Sequence, residues 1–219
     1  MANDRDPRKV ASTDLESIAV LFVECQNGLL GPDSVMRSIA EVARPSLPAM
    51  GRLARGARAA GVQVVHLTYV PVAHNRSSNR RPPMFQRLLP RLDDWNATHS
   101  AVQVIPEIGV GPEDLVLVRH TGLSPTYGTE TFNLLRNIGV RSVVVAGISV
   151  NVAIPVVAVE ATDEDFDVVI PRDAVSGAPA EHVASMLEHA LPFIARMSNV
   201  DELLSEWGVD PGDVPTPNA

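Results

Sequence analysis

Residues 143–162 read VVVAGISVNVAIPVVAVEAT, and the change of pattern inside this stretch decides the fold. Val143 to Ala146 is an apolar, β-branched run, suited to a buried strand and too short for a helix. Gly147 closes the run. From Val152 to Thr162 the apolar residues recur at helical spacing, so the stretch predicts a strand that turns directly into a helix.

The same alternation extends outward in both directions. Ile18 to Val23, Val62 to Val70, Leu115 to Val118 and Val168 to Ile170 are further strand-like runs. Ser34 to Arg58, Thr129 to Asn137 and Pro179 to Leu191 carry helical periodicity between Gly, Pro, Ser, Asn or Asp boundaries, with Pro45 and Pro48 expected to kink or split the first. Strands alternating with helices give a parallel sheet covered on both faces. The expectation is therefore a three-layer α/β/α sandwich around a mostly parallel sheet of about five or six strands.

Between Pro71 and Pro112 little regular pattern is visible beyond a short helix near Met84 to Leu89, and loops this long usually cover a site or an interface. Residues 1–14 and 209–219 are polar or proline-rich and read as flexible ends, which leaves a single domain over residues 15–208. The chain of 219 residues is 45% apolar, enough for one substantial core.

A formal net charge of −8 disfavours nucleic acid as a partner. No stretch approaches the roughly 20 apolar residues of a membrane span, and MANDRDPRKV lacks the apolar segment of a secretory signal, so a cytoplasmic location is expected. One cysteine, Cys25, excludes an internal disulfide and any cysteine-rich metal site. The local basic cluster of Arg76, Arg80, Arg81 and Arg87, interrupted by Pro82 and Pro83, reads as a solvated loop, a subunit contact or a rim attracting an anionic substrate.

In an open parallel sheet, ligands bind beyond the carboxyl ends of the strands. That rule selects Glu24, Arg119–His120, and the turn from Gly147 to Ala153. A carboxylate, a cation or imidazole, and a helix N-terminus would meet at one rim.

At these residues the chain resembles the isochorismatase-like (cysteine hydrolase) superfamily. AVLFVECQNGLLG is similar to the opening strand of that family, and the stretch from Asp114 to Gly177 resembles the rest, for a total span of residue 17 to about 200. Amide-cleaving members use an aspartate, a lysine and a cysteine. The resemblance places these roles on Glu24, on Arg119 or His120 with a one-residue ambiguity, and on Ala153. Strand neighbours face opposite sides, so the ambiguity matters.

Alanine cannot attack a carbonyl, which removes the thiol route at that position. Cys25, the neighbour of Glu24, is expected to be a small buried residue on the other face. Family members that hydrolyse a vinyl ether also lack the cysteine. The resemblance thus implies a cysteine-independent hydrolase of a small, anionic molecule, with Glu24 as acid or base and water as nucleophile. It also implies a cis Ile148–Ser149 bond and an anion hole from the amides of Ser149 and Ala153. Gln26, Ser124, Tyr127, Ser149 and Asn151 are carried over as substrate contacts, although Asn151 reads equally well as a helix cap.

Metal-binding relatives place an aspartate and histidines after the second strand, whereas VHLTYVPVAHNRSS contains no aspartate. Neither metal nor cofactor is expected, with His66 a core residue and His74 a loop residue. A homo-oligomer, dimer or tetramer, is expected on resemblance. Two further readings stay open: a buried Glu24–Arg119 ion pair with a merely structural role, and a catalytically silent family member that binds a small molecule or acts as a scaffold.

Overall fold

A computed structural model describes residues 14–72, 74–92 and 94–214. Its centre is a seven-stranded sheet. The strands are β1 (Ile18–Val23), β2 (Gln63–Tyr69), β3 (Leu115–Arg119), β4 (Ser142–Ile148), β5 (Asp167–Pro171), β6 (Val175–Ser176) and β7 (Arg196–Ser198). Their order is β3-β2-β1-β4-β5-β7, with β6 paired to β4, and every pairing is parallel. The count exceeds the expected five or six because β6 and β7 are too short to leave a hydrophobic pattern.

The helices are α1 (Asn27–Leu30), α2 (Arg37–Ala43), α3 (Leu47–Ala60), α4 (Pro83–Leu88), α5 (Thr131–Asn137), α6 (Ala153–Asp163), α7 (Ala180–Ser185) and α8 (Val200–Glu206). Every residue of β1 and β4 is buried, as a strand covered on both faces requires. Ile18, Val20 and Phe22 join a core with Met50 and Leu53 of α3 and Leu203 and Leu204 of α8. Ala19, Leu21 and Val23 pack on the other face with Ile154, Val157 and Ala158 of α6. The alternation of β1 thus divides one strand between two cores.

The proline-rich segment splits as expected. A 3-10 turn over Arg44–Ser46 separates α2 from α3, with a proline near the start of both the turn and α3, where a missing N–H costs little. Gly61, at φ 74, ends α3 in the left-handed conformation. Residues 209–214, expected to belong to a flexible tail, instead pack on the domain: Val214 is buried and Arg52 Nη2 donates to the carbonyl of Pro211 at 2.9 Å. The rest of the two expected ends, 1–13 and 215–219, lies outside the described residues, and Asp14 accepts the amide of Ser17.

One buried polar network braces the sheet far from the strand ends that matter below. Asp114, just ahead of β3, accepts from Arg58 of α3, from the amide of Gly111 and from His66 Nε2 at 2.8 Å. His66 is a core residue that stacks on Phe22. Burial lowers its proton affinity below the ordinary histidine value, against the opposing pull of Asp114. Asp114 is itself held low: its hydrogen bonds from Arg58, His66 and Gly111 outweigh desolvation.

At Gly147 the backbone of β4 lies hard against Val23 of β1. The φ of Gly147 is 106, and a Cβ there would sit 2.8 Å from both Cys25 Sγ and the backbone nitrogen of Val23. Gly147→Ala is therefore expected to destabilise the fold by about 3 kcal/mol or more, read as a lower midpoint in urea. Acid should also weaken the fold. A histidine held neutral by burial contributes stability above its unfolded pKa that is lost as pH falls below it, and the depressed Asp114 loses its contribution at still lower pH. Tm should drop between about pH 7.5 and 5, and the drop should shrink in His66→Gln; an unchanged drop would remove His66 as its source.

Candidate active site

β1, β2, β3 and β4 all end on the same side of the sheet, and Glu24, Tyr69, Arg119 and Ser149 at or just after these ends line one cleft. Glu24 follows β1 with φ 54, a left-handed conformation that a non-glycine residue rarely adopts. Such an outlier at a strand end is a reason to look for a site. Arg119 ends β3 in register with Tyr69 of β2. Its guanidinium lies over the Tyr69 ring, 4.7 Å from the centroid, and Nη2 reaches across to Glu24 Oε1. Both charged side chains are largely sequestered, at 9% exposure for Arg119 and 16% for Glu24. Desolvation raises the proton affinity of Glu24 above the ordinary glutamate range, while the charge and hydrogen bond of Arg119 oppose it.

Of the two neighbouring candidates, Arg119 is the one that meets Glu24. His120 is exposed, and its Nδ1 lies 2.6 Å from the carbonyl of Val70, away from Glu24. Expected as a possible partner of the carboxylate, it is not one, because consecutive strand residues face opposite sides.

The turn after β4 supplies the third component. The Ile148–Ser149 bond is cis. The carbonyl of Ser149 accepts from the amides of Val152 and Ile154, and Val150 donates to Ser176, so the turn is braced from within and from β6. The amides of Ser149 and Ala153 have no acceptor among the described residues, and both residues line the cleft. Ala153 opens α6, whose N-terminal end adds its dipole.

Other residues taken from the sequence as substrate contacts serve the scaffold instead. Gln26 is fully buried: Nε2 donates to the carbonyls of Tyr69 at 2.9 Å and Val102 at 2.8 Å, while Oε1 accepts the Tyr69 amide at 2.8 Å. Asn151 neither caps α6 nor faces the cleft. Its side chain brackets Ala178, accepting that residue's amide at 3.0 Å and donating to its carbonyl. Ser124 donates to Glu160 and accepts the amides of Thr126 and Tyr127, closing a tight turn. Tyr127 is 81% exposed and belongs to a separate surface groove beside Glu160. For Gln26, Asn151 and Ser124, a polar side chain near a turn satisfies backbone groups first.

The walls of the cleft come mainly from the long connection after β2. Met84, Phe85 and Leu88 of α4 face Leu29, Val35 and Met36 across it, with Leu92, Trp95 and Leu123 completing the lining. The free space between these walls is small, about 60 Å³, and opens to solvent at its mouth. Arg76, Arg80, Arg81 and Arg87 are exposed and none of them lines it. Cys25 is buried in the core opposite Ala153, and burial pushes its thiol up, away from the reactive thiolate. Among the described residues no group of three or more His, Cys, Asp or Glu side chains is placed to hold a metal, and no helix is long and apolar enough to cross a membrane.

The isochorismatase domain profile matches residues 18–202, most of the chain. The chain belongs to the isochorismatase family. It is 28% identical over 193 residues to an uncharacterised isochorismatase family protein, YecD, of Escherichia coli O157:H7, covering 87% of this chain and 96% of that one. Among solved structures it resembles a cysteine hydrolase from Pseudomonas syringae pv. phaseolicola, with TM-score 0.75, 18% identity and coverage of 89% and 94%. It also resembles an isochorismatase family protein from Desulfovibrio vulgaris, with TM-score 0.74, 21% identity and coverage of 88% and 98%. At these identities the structural matches speak for the fold. In this isochorismatase-family chain the strand ends carry Glu24, Arg119 and Ala153, beside apolar walls.

Because Gln26 ties β2 to the 102–104 segment, Gln26→Ala is expected to cost roughly 2–4 kcal/mol in urea unfolding, the penalty of leaving buried backbone groups unpaired. A variant as stable as the parent would return Gln26 to the list of substrate contacts.

Proposed function

We propose that the chain is a cysteine-independent hydrolase in which Glu24 carries protons and water is the nucleophile. The observation that supports this most is convergence. One carboxylate of raised proton affinity, and Ser149 and Ala153, whose amides have no acceptor among the described residues, line the same apolar cleft at the start of α6.

In this reading Arg119 engages Oε1 of Glu24, and no described residue donates to Oε2, which is left to receive a proton from water. The resulting hydroxide adds to the substrate carbonyl carbon. Negative charge developing on the carbonyl oxygen is taken by the amides of Ser149 and Ala153. Glu24 then returns its proton to the leaving atom. Ala153 contributes a backbone donor and nothing else, so the missing thiol leaves this route intact.

An anionic substrate, expected from the sequence, suits this cleft poorly. The one cation in it is already paired with Glu24, and the arginine cluster lies outside. A small, uncharged molecule with an apolar body matches the lining better. The silent alternative draws on the same ion pair, since a carboxylate held by Arg119 also serves a pocket that only binds.

The two readings separate on a kinetic comparison. Glu24→Gln is expected to lower kcat by about 10²–10⁴-fold on any substrate found in a screen of esters, amides and enol ethers, and Cys25→Ser to leave it within about twofold. A base of raised pKa works only once deprotonated, so kcat/KM should climb with pH through a point above the ordinary glutamate range. Undiminished turnover in Glu24→Gln would eliminate the proposed role, and binding without any turnover by the parent protein would select the silent reading.

A further inference from the structure

We propose that the substrate of this cleft is an uncharged, hydrophobic carboxylic ester, and that Arg119 selects its leaving oxygen over an amide nitrogen. The proposal rests on the reading of Glu24 as proton carrier and adds the chemistry of what is cleaved.

Arg119 carries the argument. Its side chain is 9% exposed and lines the cleft, and Nη2 is committed to Glu24. Nε and Nη1 are buried and find no acceptor among the described residues. Buried N–H groups of a cation without partners are costly, so a ligand that completes the site brings an acceptor to them. Which acceptor follows from the proton path. Glu24 must deliver its proton to the leaving atom, so that atom sits within hydrogen-bonding reach of the carboxylate, and therefore beside the guanidinium bound to the same carboxylate.

A guanidinium donates and never accepts. An ester presents an oxygen with lone pairs at this place. A secondary amide presents N–H, which Oε2 of Glu24 can accept but which leaves Nε and Nη1 of Arg119 without an acceptor. A carboxylate ligand would bring a second negative charge next to Glu24. The remaining surface is mostly apolar, Leu29, Met36, Met84, Phe85, Leu88 and Trp95 among its residues, which asks for an alkyl or aromatic body. The reaction balances: water supplies oxygen to the acyl carbon and one proton to Glu24. The acyl C–O bond breaks with its electron pair going to the leaving oxygen, and that proton passes to it. The products are an acid and an alcohol.

The test uses the full chain, by calorimetry: Glu24→Gln with methyl 3-phenylpropanoate and N-methyl-3-phenylpropanamide, so that binding is read without turnover, and the parent protein, with Glu24 in place, for 3-phenylpropanoate. The ester is expected to bind about tenfold more tightly than the amide or the acid. Adding Arg119→Gln, which offers both donor and acceptor, should bring ester and amide within about twofold of each other. Arg119→Lys, which keeps a charge beside position 24, should weaken the ester by about fivefold and serves if the first variant does not fold. Leu88→Asn should weaken ester and amide alike, and no loss there overturns the hydrophobic body. Equal binding of ester and amide, or tighter binding of the acid, overturns the proposal even if the parent enzyme hydrolyses other substrates through Glu24. Ester-selective binding with no hydrolysis by the parent keeps the ligand class and discards the catalytic reading.

Discussion

Arg119 and Glu24 meet across the end of β2, and the floor of the cleft is organised by that contact. The sheet order β3-β2-β1 places the two residues on strands that do not touch. Only the parallel register, with Tyr69 opposite Arg119 and Val23 opposite Leu67, brings their side chains over the same point. A buried ion pair gains little net stability from its own attraction, because both ions lose their hydration. Losing one partner is another matter, since the charge left behind in an apolar setting costs several kcal/mol. The pair therefore couples site to scaffold: any slip of β3 against β2 would strand two charges among Met, Phe, Leu and Trp side chains.

In the proposed mechanism the same strand ends explain why the absence of a thiol has limited consequences. Close approach at Gly147 brings β4 against Val23 and sends the chain into the turn that leads to Ala153. Bonds from Val152, Ile154 and Val150 absorb the acceptors and donors around Ser149, while the amides of Ser149 and Ala153 are left unused. These features are made of backbone. A side chain at position 153 adds to them and does not create them, so a substitution there changes which mechanisms are open without dismantling the hole.

Most of the sheet was legible in the sequence because β1, β2, β4 and β5 are covered on both faces and read as unbroken apolar runs. β6 and β7 were not, having two and three residues. α8 did carry a readable signal, a capping box between Asn199 and Glu202, ahead of Leu203 and Leu204. Within the site, strand-end position singled out Glu24, the pair Arg119–His120 and the turn to Ala153, without deciding between the two neighbours. It could not tell a ligand contact from a scaffold contact. Gln26 finds its partners 43 and 76 residues away, and Asn151 finds its own 27 away, separations invisible to local pattern. The apolar roof was hidden for a related reason: α4 is six residues within a long aperiodic connection, too short for its face to declare itself.

Charge in the cleft has to be followed through the reaction as well as in the resting state. With Glu24 ionised, the pair with Arg119 is neutral and the apolar walls see no net charge. Once Glu24 takes a proton from water, the guanidinium is uncompensated, and in surroundings of low polarity an uncompensated cation is a strong electrostatic force. At that same moment negative charge has appeared on the substrate, first at the carbonyl oxygen beside the free amides and then at the leaving oxygen beside Arg119. The positive charge exposed by protonating Glu24 is thus answered by the charge that the reaction generates. An arrangement of this kind stabilises the transition state more than the ground state, which is the condition for catalysis as distinct from binding. In the proposed mechanism, Arg119 thus does its work by losing its partner at the right step, and the apolar roof is what makes that loss felt.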